Sequence, residues 1–429
     1  MRSFPVHTAL SILIAGALLG GAGLLKPAQF KAIVDFAPPP PPPPPLPSLP
    51  GPTTPAASTL LDDSSGVLDR FYAALHRTEN QEPGAVTRIV HYGDSPTTAD
   101  LITGDVRAEL QSHFGDAGHG FLLIAKPWAW YQHDGADVNA AGWQMLPASR
   151  FETHDGLFGL GGVSFTTGGS ARSRIIFSRA QQRFEVWYLH QRGGGFTIIA
   201  DNRALGRVDT SGDPKTPGFA MFTADPPATH LEIETATGAR LFGVVAERSG
   251  PGVVYDSLGL NGASITVLSR IYSEAHLAEQ VRHRNPQLVI VNYGTNEADF
   301  ESFVDKQYEG ELREAIRRIR AALPETSILL MSPMDRGRKS GGGIETMPTI
   351  PKLVAIQRRV ARETGCGFFD TFTAMGGEGT MARWYAAQPR LVSADFIHPY
   401  PAGGKLIADI FTREIEAGLD RFKRGPQLH

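Results

Sequence analysis

Short apolar segments alternate with helical segments in two parts of the chain, and this alternation constrains the fold more than any other feature of the sequence. The first part holds one unit, the strand TRIVHYGD and the helix after it, TADLITGDVRAELQSHFG. From about residue 252 the pattern repeats, with the strands VVYDSLGL, QLVIVNYG, SILLMSP and FFDTF and a helix after each. Strands that alternate with helices predict a parallel sheet with helices on both faces.

The middle of the chain has a different pattern. From about Lys126 to Gly250, short alternating runs such as RFEVWYLH, GFTIIAD and THLEIETA lie between glycine-rich turns, and helical periodicity is almost absent. This pattern predicts an antiparallel β-sandwich inserted at residues 125–251. The two flanking segments, 59–124 and 252–429, are then the two parts of one α/β domain.

The first 58 residues predict a location outside the cytoplasm. Ala9 to Leu25 is an uncharged run behind Arg2, and it favours an uncleaved membrane anchor over a cleaved signal peptide within residues 1–37. Residues 38–58 form a proline-rich linker, whose consecutive prolines from Pro38 to Pro45 extend as a polyproline II rod. We therefore expect an exported domain that a stalk holds away from a membrane surface, with the N-terminal segment as its membrane contact.

Composition excludes several classes of partner and site. The chain has 41 Lys and Arg against 44 Asp and Glu, so no field of one sign attracts nucleic acid. Its one cysteine, Cys366, rules out an intrachain disulfide and any multi-cysteine metal site. No regular spacing of His, Asp and Glu predicts a metal site, and we expect no cofactor. The oligomeric state is left open.

A serine stands where the first strand ends, in the sequence HYGDSPTTAD. Ser95 there is open to two interpretations, a helix cap or a nucleophile at the carboxyl edge of the sheet. If Ser95 is catalytic, its partners should lie in other loops at the same edge. Gly262 follows the strand VVYDSLGL, Asn296 follows QLVIVNYG, and Asp395 and His398 precede the last helix.

These segments together resemble the SGNH hydrolase family, also called GDSL-type esterases. The resemblance is carried by GDS at Gly93–Ser95, the glycine of LNGAS at Gly262, GTNE at Gly294–Glu297, and DFIH at Asp395–His398. It covers about residues 60 to 124 and 252 to 429, and it implies a three-layer α/β/α, flavodoxin-like fold. One position departs from the family, in which the third block usually reads Gly-x-Asn-Asp, because Glu297 follows Asn296.

The resemblance implies a role for each of five residues. Ser95 is the expected nucleophile, His398 the base, and Asp395 the group that orients the imidazole. The backbone N–H groups of Ser95 and Gly262 and the side-chain amide of Asn296 are the expected donors of the oxyanion hole. On this interpretation Ser95 is at once nucleophile and helix cap.

Within the family, the stalk and the β insertion resemble periplasmic peptidoglycan O-acetylesterases and O-acetyltransferases, whose inserted domain is a carbohydrate-binding-like jelly roll. The resemblance implies that the insertion is jelly-roll-like and that the protein is periplasmic, anchored to the inner membrane by its N-terminal helix. The resemblance implies a serine esterase, a carbohydrate O-acetylesterase, that removes O-acetyl groups from a cell-envelope polysaccharide. The expected partner is therefore an acetylated polysaccharide. Two alternatives are an O-acetyltransferase that acts on the same glycan and a non-catalytic glycan-binding protein.

Four further residues are candidates for substrate binding. Trp128, Trp130 and Tyr131, in KPWAWYQHDG, lie at the junction of the two predicted domains, where aromatic faces could stack on sugar rings. Packing between the domains is the alternative for these three. Arg336 follows the strand SILLMSP and could meet an anionic glycan, although its segment DRGRKSGGG is also typical of a solvated, mobile loop.

Overall fold

The computed structural model describes residues 60–149, 155–236 and 238–425. The predicted anchor at 1–37 and the whole linker at 38–58, with residue 59, lie outside these ranges, so both stay predictions. Among the helices of the described residues, none combines the length and the apolar character needed to cross a bilayer.

The described residues contain helices and strands that we number in chain order. The strands are β1 (Leu61–Asp62), β2 (Val86–Gly93), β3 (Gly118–Leu122), β4 (Ala136–Ala141), β5 (Gln144–Pro147), β6 (Val163–Thr166), β7 (Ala171–Leu189), β8 (Gly195–Ala200), β9 (Arg203–Asp209), β10 (Pro217–Thr235), β11 (Arg240–Glu247), β12 (Gly252–Gly259), β13 (Leu288–Asn292), β14 (Ser327–Met331), β15 (Gly337–Ser340), β16 (Gly343–Thr346) and β17 (Gly367–Phe369). The α-helices are α1 (Asp69–Glu79), α2 (Ser95–Thr98), α3 (Thr103–Phe114), α4 (Glu274–Arg284), α5 (Glu301–Lys306), α6 (Tyr308–Ala322), α7 (Thr349–Thr364), α8 (Thr371–Ala374), α9 (Thr380–Ala386) and α10 (Pro401–Arg424).

A six-stranded sheet in the order β1-β17-β14-β13-β2-β12 forms the centre of the α/β part. Five of its strands are parallel, as predicted, and the short edge strand β1 pairs antiparallel with β17. Successive side chains of a strand point to opposite faces of the sheet, so Leu288 and Ile290 lie in one buried cluster while Val289 and Val291 lie in the other. Helices α1, α3 and α10 cover the first face, and α4, α6 and α7 cover the second. The three-layer α/β/α prediction is confirmed.

The middle of the chain forms a separate antiparallel sheet of nine strands, β3 to β11. Its two long strands, β7 and β10, pair with each other along most of their length. The first half of β7 has β4 as its other neighbour, and the second half has β11. The inserted antiparallel β domain is thus present as predicted. Strand β3 already belongs to this sheet, and the limits 125–251 stay a prediction.

A buried ion-pair network joins the two sheets. Glu247, at the end of β11, accepts hydrogen bonds from Arg88 of β2 at 2.9 Å and from Arg284 of α4 at 2.7 Å. Arg284 also donates to Asp256 of β12 at 2.5 Å. The guanidinium groups of Arg284 and Arg88 lower the pKa of Glu247 far below its ordinary value, against the effect of burial. The carboxylate therefore stays charged in this joint.

The segment DRGRKSGGG, for which a solvated, mobile loop was one expectation, has regular secondary structure over most of its length. Its residues form the antiparallel hairpin of β15 and β16. Asp335, just before the hairpin, is buried and accepts a hydrogen bond from the backbone N–H of Met381 at 2.9 Å. The hairpin is therefore held by α9 rather than solvated on all sides.

Candidate active site

Three neighbouring strands of the parallel sheet carry the loops of the predicted site. Strand β2 lies between β12 and β13, and Gly93 at its end is level with Gly259 on one side and Asn292 on the other. Because the three strands run in the same direction and end together, the loops that follow them meet at one edge of the sheet. Ser95, Gly262 and Asn296 belong to these loops.

Ser95 is the first residue of α2 and is largely buried, with 7% of its surface exposed. Its Oγ lies 2.7 Å from Nε2 of His398. The residue at the cap position is Asp94, and no side chain caps this helix. The prediction that Ser95 is also the helix cap is therefore wrong, because its hydroxyl is engaged with His398. Gly93 permits the tight approach of α2, since a Cβ there would lie 2.2 Å from Oγ1 of Thr97.

His398 links Ser95 to Asp395. Its Nδ1 lies 2.7 Å from Oδ2 of Asp395, and its Nε2 faces Ser95. A carboxylate accepts and does not donate, so Nδ1 carries the proton and Nε2 is left to accept the serine hydroxyl. The second carboxylate oxygen, Oδ1, accepts the backbone N–H of Ile397 at 2.9 Å and of His398 at 3.1 Å, and the hydroxyl of Ser393.

These donors also act on the pKa of Asp395. Partial burial alone would raise it, but the hydrogen bonds from Ser393, His398 and the two backbone N–H groups outweigh burial and lower the pKa to about 2. Asp395 is therefore ionised at neutral pH, in the state that orients an imidazole.

The three expected oxyanion donors lie at the same edge of the sheet. Gly262 has a φ of +71°, a conformation that favours glycine, and a Cβ added there would meet nothing within 4 Å. The space beside its backbone is therefore open. The amide Nδ2 of Asn296 donates one hydrogen bond to the carbonyl of Ala263 at 2.7 Å. An amide NH₂ has two hydrogens, so this bond fixes its plane and leaves the second N–H to donate elsewhere.

Two buried carboxyl groups stand next to these residues, and the sequence assigned neither a role. Asp94 precedes Ser95 and is 3% exposed, and Glu297 follows Asn296 and is 1% exposed. Burial raises the pKa of Asp94 to about 6, although the side chains of Thr295 and His398 oppose it. Burial raises the pKa of Glu297 to about 7, although the backbone N–H of Ile265 opposes it. Both residues belong to the motifs GDS and GTNE, so the sequence placed them beside the site, but it did not show that their carboxyl groups are buried.

The candidate substrate residues fall into two groups. Trp130 is 49% exposed and Trp128 is half-buried against the core, so both present ring surface near the junction. Tyr131 is buried, and its hydroxyl accepts the backbone N–H of Leu123 at 2.9 Å. Its ring packs in the interior, as the alternative interpretation holds, and is not presented for stacking on a sugar.

Arg336 is already engaged by the protein. One guanidinium nitrogen donates to the carbonyl of Thr295, and another donates to Asp299 at 2.6 Å. These contacts hold the turn that carries Asn296. The predicted role of Arg336 in binding an anionic glycan is therefore not supported by its contacts, which point to a structural role beside the site.

A cleft of about 730 Å³ lies beside the serine helix, between the two sheets. On the α/β side it is lined by residues that directly follow α2 and by Pro401, at the start of α10 after His398. On the other side it is lined by residues of the inserted sheet, which include Ile176 and Ser178. The cleft is thus next to the segments that carry Ser95 and His398, although neither residue is part of its lining. Within the described ranges no cluster of three His, Cys, Asp or Glu side chains could hold a metal ion.

Comparison with known families supports a hydrolase. Residues 224–406 match the sequence profile of the GDSL-like Lipase/Acylhydrolase family. This range contains Gly262, Asn296, Asp395 and His398, and it leaves out Ser95, which precedes the inserted sheet. No curated protein matches the chain in sequence.

Solved structures give the closer comparison. A peptidoglycan O-acetylesterase is 25% identical with a TM-score of 0.73, over 84% of this chain and 99% of that chain. A mutant acetyl-xylooligosaccharide esterase from Geobacillus Stearmophilus is 22% identical with a TM-score of 0.29, over 38% of this chain and 73% of that chain. A family two carbohydrate esterase from Clostridium thermocellum, in complex with cellohexaose, is 12% identical with a TM-score of 0.27, over 65% and 99%. The match in the first case includes the inserted sheet as well as the α/β part.

Proposed function

On the premise that the chain carries a GDSL-like lipase/acylhydrolase domain, the domain of carboxylic ester hydrolases, we propose that it is a polysaccharide O-acetylesterase. It removes O-acetyl groups from a cell-envelope polysaccharide such as peptidoglycan, through an acyl-Ser95 intermediate. The observation that carries the proposal is the continuous chain of two hydrogen bonds, each 2.7 Å, from Ser95 through His398 to Asp395. A serine aligned in this way is a nucleophile with its base already in contact.

In the first step Oγ of Ser95 attacks the acetyl carbonyl carbon while its proton passes to Nε2 of His398. The carbonyl oxygen becomes an anion, which the N–H groups of Ser95 and Gly262 and the free amide N–H of Asn296 are placed to bind. When the carbon–oxygen bond to the sugar breaks, Nε2 returns the proton to the sugar oxygen. The acetyl group is then on Ser95.

The second step repeats the first with water. Nε2 of His398 takes a proton from water, the oxygen attacks the acetyl carbon, and acetate leaves as Ser95 regains its proton. Asp395 stays ionised throughout and stabilises the imidazolium that forms twice. If a sugar hydroxyl takes the place of water, the same intermediate yields acetyl transfer, so the competition for acetyl-Ser95 decides between an esterase and an O-acetyltransferase.

Two observations support a polysaccharide rather than a small ester as the substrate. The cleft of about 730 Å³ lies between the residues that follow the serine helix and the inserted sheet, where part of an acetylated chain would have room beside the site. A solved structure similar to this one over 84% of the chain is named as a peptidoglycan O-acetylesterase. The N-terminal apolar run and proline-rich linker add a periplasmic, membrane-anchored location to the proposal.

The test is hydrolysis of p-nitrophenyl acetate by the purified chain, compared with Ser95→Ala and His398→Ala. We expect both variants to lose at least about 10³-fold in kcat. Acetate release from O-acetylated peptidoglycan, measured beside acetyl transfer to added saccharides, then separates the esterase from the transferase.

Two outcomes would contradict the proposal. If acetylated saccharide dominates the products, the protein is a transferase and the esterase assignment is wrong. Equal rates in all three proteins, with no acyl-type adduct from a serine-reactive phosphonate but retained glycan binding, would favour a non-catalytic binding protein.

A further inference from the structure

Glu297 is a buried acid beside the expected oxyanion hole, at the position where this chain departs from the family motif. It opens a 3₁₀ turn, Glu297–Asp299, directly after Asn296, and 1% of its surface is exposed. Its Oε1 accepts the backbone N–H of Ile265 at 2.7 Å. Its Oε2 is buried without a hydrogen-bond partner among the described residues.

Ile265 belongs to the loop that follows β12, three residues after Gly262. The bond from Glu297 therefore joins the loop of one expected donor to the turn of another. A second bond runs in parallel, from Nδ2 of Asn296 to the carbonyl of Ala263 at 2.7 Å. The consecutive side chains of Asn296 and Glu297 thus both hydrogen-bond to the loop after Gly262: Glu297 accepts a bond and Asn296 donates one.

We propose that Glu297 is a positioning residue, whose carboxyl holds the Gly262 loop against the Asn296 turn so that the N–H of Gly262 and the amide of Asn296 converge on one oxyanion. The proposal rests on the proposed function, because only an acyl-transfer reaction forms that oxyanion. Gly262 has open space at its Cβ position and no side chain of its own to anchor it. Its N–H is therefore oriented by the hydrogen bonds of neighbouring loop residues, which include Ser149 to the carbonyl of Asn261 at 2.6 Å as well as Glu297 to Ile265.

The length of the side chain matters for this role. An aspartate, the usual residue at this position in the family, is shorter by one carbon–carbon bond of about 1.5 Å. From the same backbone position its oxygen would fall short of the Ile265 nitrogen, so the hydrogen bond would be lengthened or lost. The length of the glutamate side chain thus matches the distance between the backbone of residue 297 and the Ile265 nitrogen in this chain.

The experiment compares Glu297→Ala, Glu297→Asp and Glu297→Gln in p-nitrophenyl acetate hydrolysis, with kcat and KM measured separately. We expect Glu297→Ala to lose about 10- to 100-fold in kcat with little change in KM, somewhat less than the loss of a whole oxyanion donor. Glu297→Gln keeps an oxygen for the Ile265 N–H and should recover kcat to within about fivefold of the unaltered protein. Glu297→Asp should fall nearer to the alanine variant.

A double-mutant cycle with Asn296→Ala separates positioning from general stability. If Glu297 acts through the oxyanion hole, Glu297→Ala should cost clearly less in kcat once Asn296 is already alanine, because only the N–H of Gly262 is then left to be misplaced. Gln280→Ala is the matched control, because Gln280 is also buried and braces α4 to the carbonyl of Phe158 at 2.8 Å. It should lower the thermal midpoint of unfolding while kcat of the folded protein stays unchanged.

Three results would overturn the proposal: an unchanged kcat in Glu297→Ala, an equal loss in the presence and absence of Asn296, or no recovery in Glu297→Gln when that variant is folded. Failure of the proposed function is seen earlier and separately, as the absence of Ser95-dependent hydrolysis in the unaltered protein.

Discussion

The hydroxyl oxygen of Ser95 lies 2.7 Å from Nε2 of His398, although 303 positions separate the two residues in the chain. Ser95 follows strand β2, before the inserted sheet in the chain, and His398 lies on the loop before α10, after the inserted sheet. Only the closing of the α/β domain around the insertion brings the two together. The contact therefore links the activity of the site to correct folding of both parts of the α/β domain.

Asp395→Asn should reduce kcat for p-nitrophenyl acetate by about 10²- to 10⁴-fold, because an asparagine amide facing Nδ1 favours the wrong imidazole tautomer. The folded structure should be retained, since the side chain keeps its shape. Steady-state kinetics and a thermal unfolding curve measure the two effects. Asp420→Asn, at a carboxylate that is 60% exposed in α10, is the matched control and should change neither. A full rate in Asp395→Asn would exclude the assigned role of Asp395.

Asn296→Ala should lower kcat by about 10²- to 10³-fold with a smaller effect on KM, because the amide binds charge that develops only in the transition state. Affinity for a boronic-acid transition-state analogue should fall in parallel with kcat. A rise in KM alone, with kcat retained, would show that Asn296 binds the ground state instead.

The pH dependence of stability should change when Glu297 is replaced by glutamine. Burial raises the pKa of Glu297 from 4.5 to about 7, so the folded state holds this proton where the unfolded state has lost it. Its contribution to the free energy of unfolding is complete below pH 4.5 and is lost as the pH rises through 7. Asp94, with its pKa raised to about 6, acts in the same direction.

Buried histidines act in the opposite direction at lower pH, since burial lowers the pKa of His91 and of His276 to about 4. The informative quantity is therefore the difference in thermal midpoint between Glu297→Gln and the unaltered protein. We expect this difference to move in favour of Glu297→Gln as the pH rises from 5 to 8. Parallel midpoint curves would contradict the shifted pKa of Glu297.

Narrowing the cleft should separate large substrates from small ones. Ile176 lines the cleft and is 38% exposed, so Ile176→Trp adds bulk there without disturbing the core. We expect at least about a tenfold loss of kcat/KM on O-acetylated polysaccharide and no change with p-nitrophenyl acetate. Met221→Trp, on an exposed site of the same sheet that does not line the cleft, is the control. Equal effects on the two substrates would show that the polysaccharide does not use this cleft.

Removing Arg284 should destabilise the joint between the sheets. Its side chain is 4% exposed and faces Glu247 and Asp256, so Arg284→Ala leaves the buried Asp256 without its cation and removes one of the cations that Glu247 contacts. We expect a loss of about 3–5 kcal/mol in the free energy of unfolding by urea. Arg317→Ala is the control, because its side chain is 52% exposed and its ion pair with Glu274 is screened by solvent, and it should cost far less than Arg284→Ala. Similar losses in the two variants would mean that the buried network contributes no more than a surface pair.

The sequence by itself determined the elements and the order of the candidate site. Strand and helix periodicity and the helix-poor middle segment are local patterns, because they depend on which side chains neighbour each other along a strand or a helix. The glycine and polar turns after β2, β12 and β13 are local as well, so the positions of Ser95, Gly262 and Asn296 at the ends of strands follow from the order of residues alone.

The tertiary structure decided everything that depends on contacts between distant segments. The order of strands placed β2 between β12 and β13, and the sequence alone does not specify which strands pair. In the folded protein the ring of Tyr131 is buried, and the guanidinium of Arg336 donates to the carbonyl of Thr295. Neither side chain has the exposed position that the predicted role in substrate binding required. The reach of Glu297 to Ile265 arose in the same way, because a buried polar group takes the partner that packing brings within hydrogen-bond distance, whatever its distance along the chain.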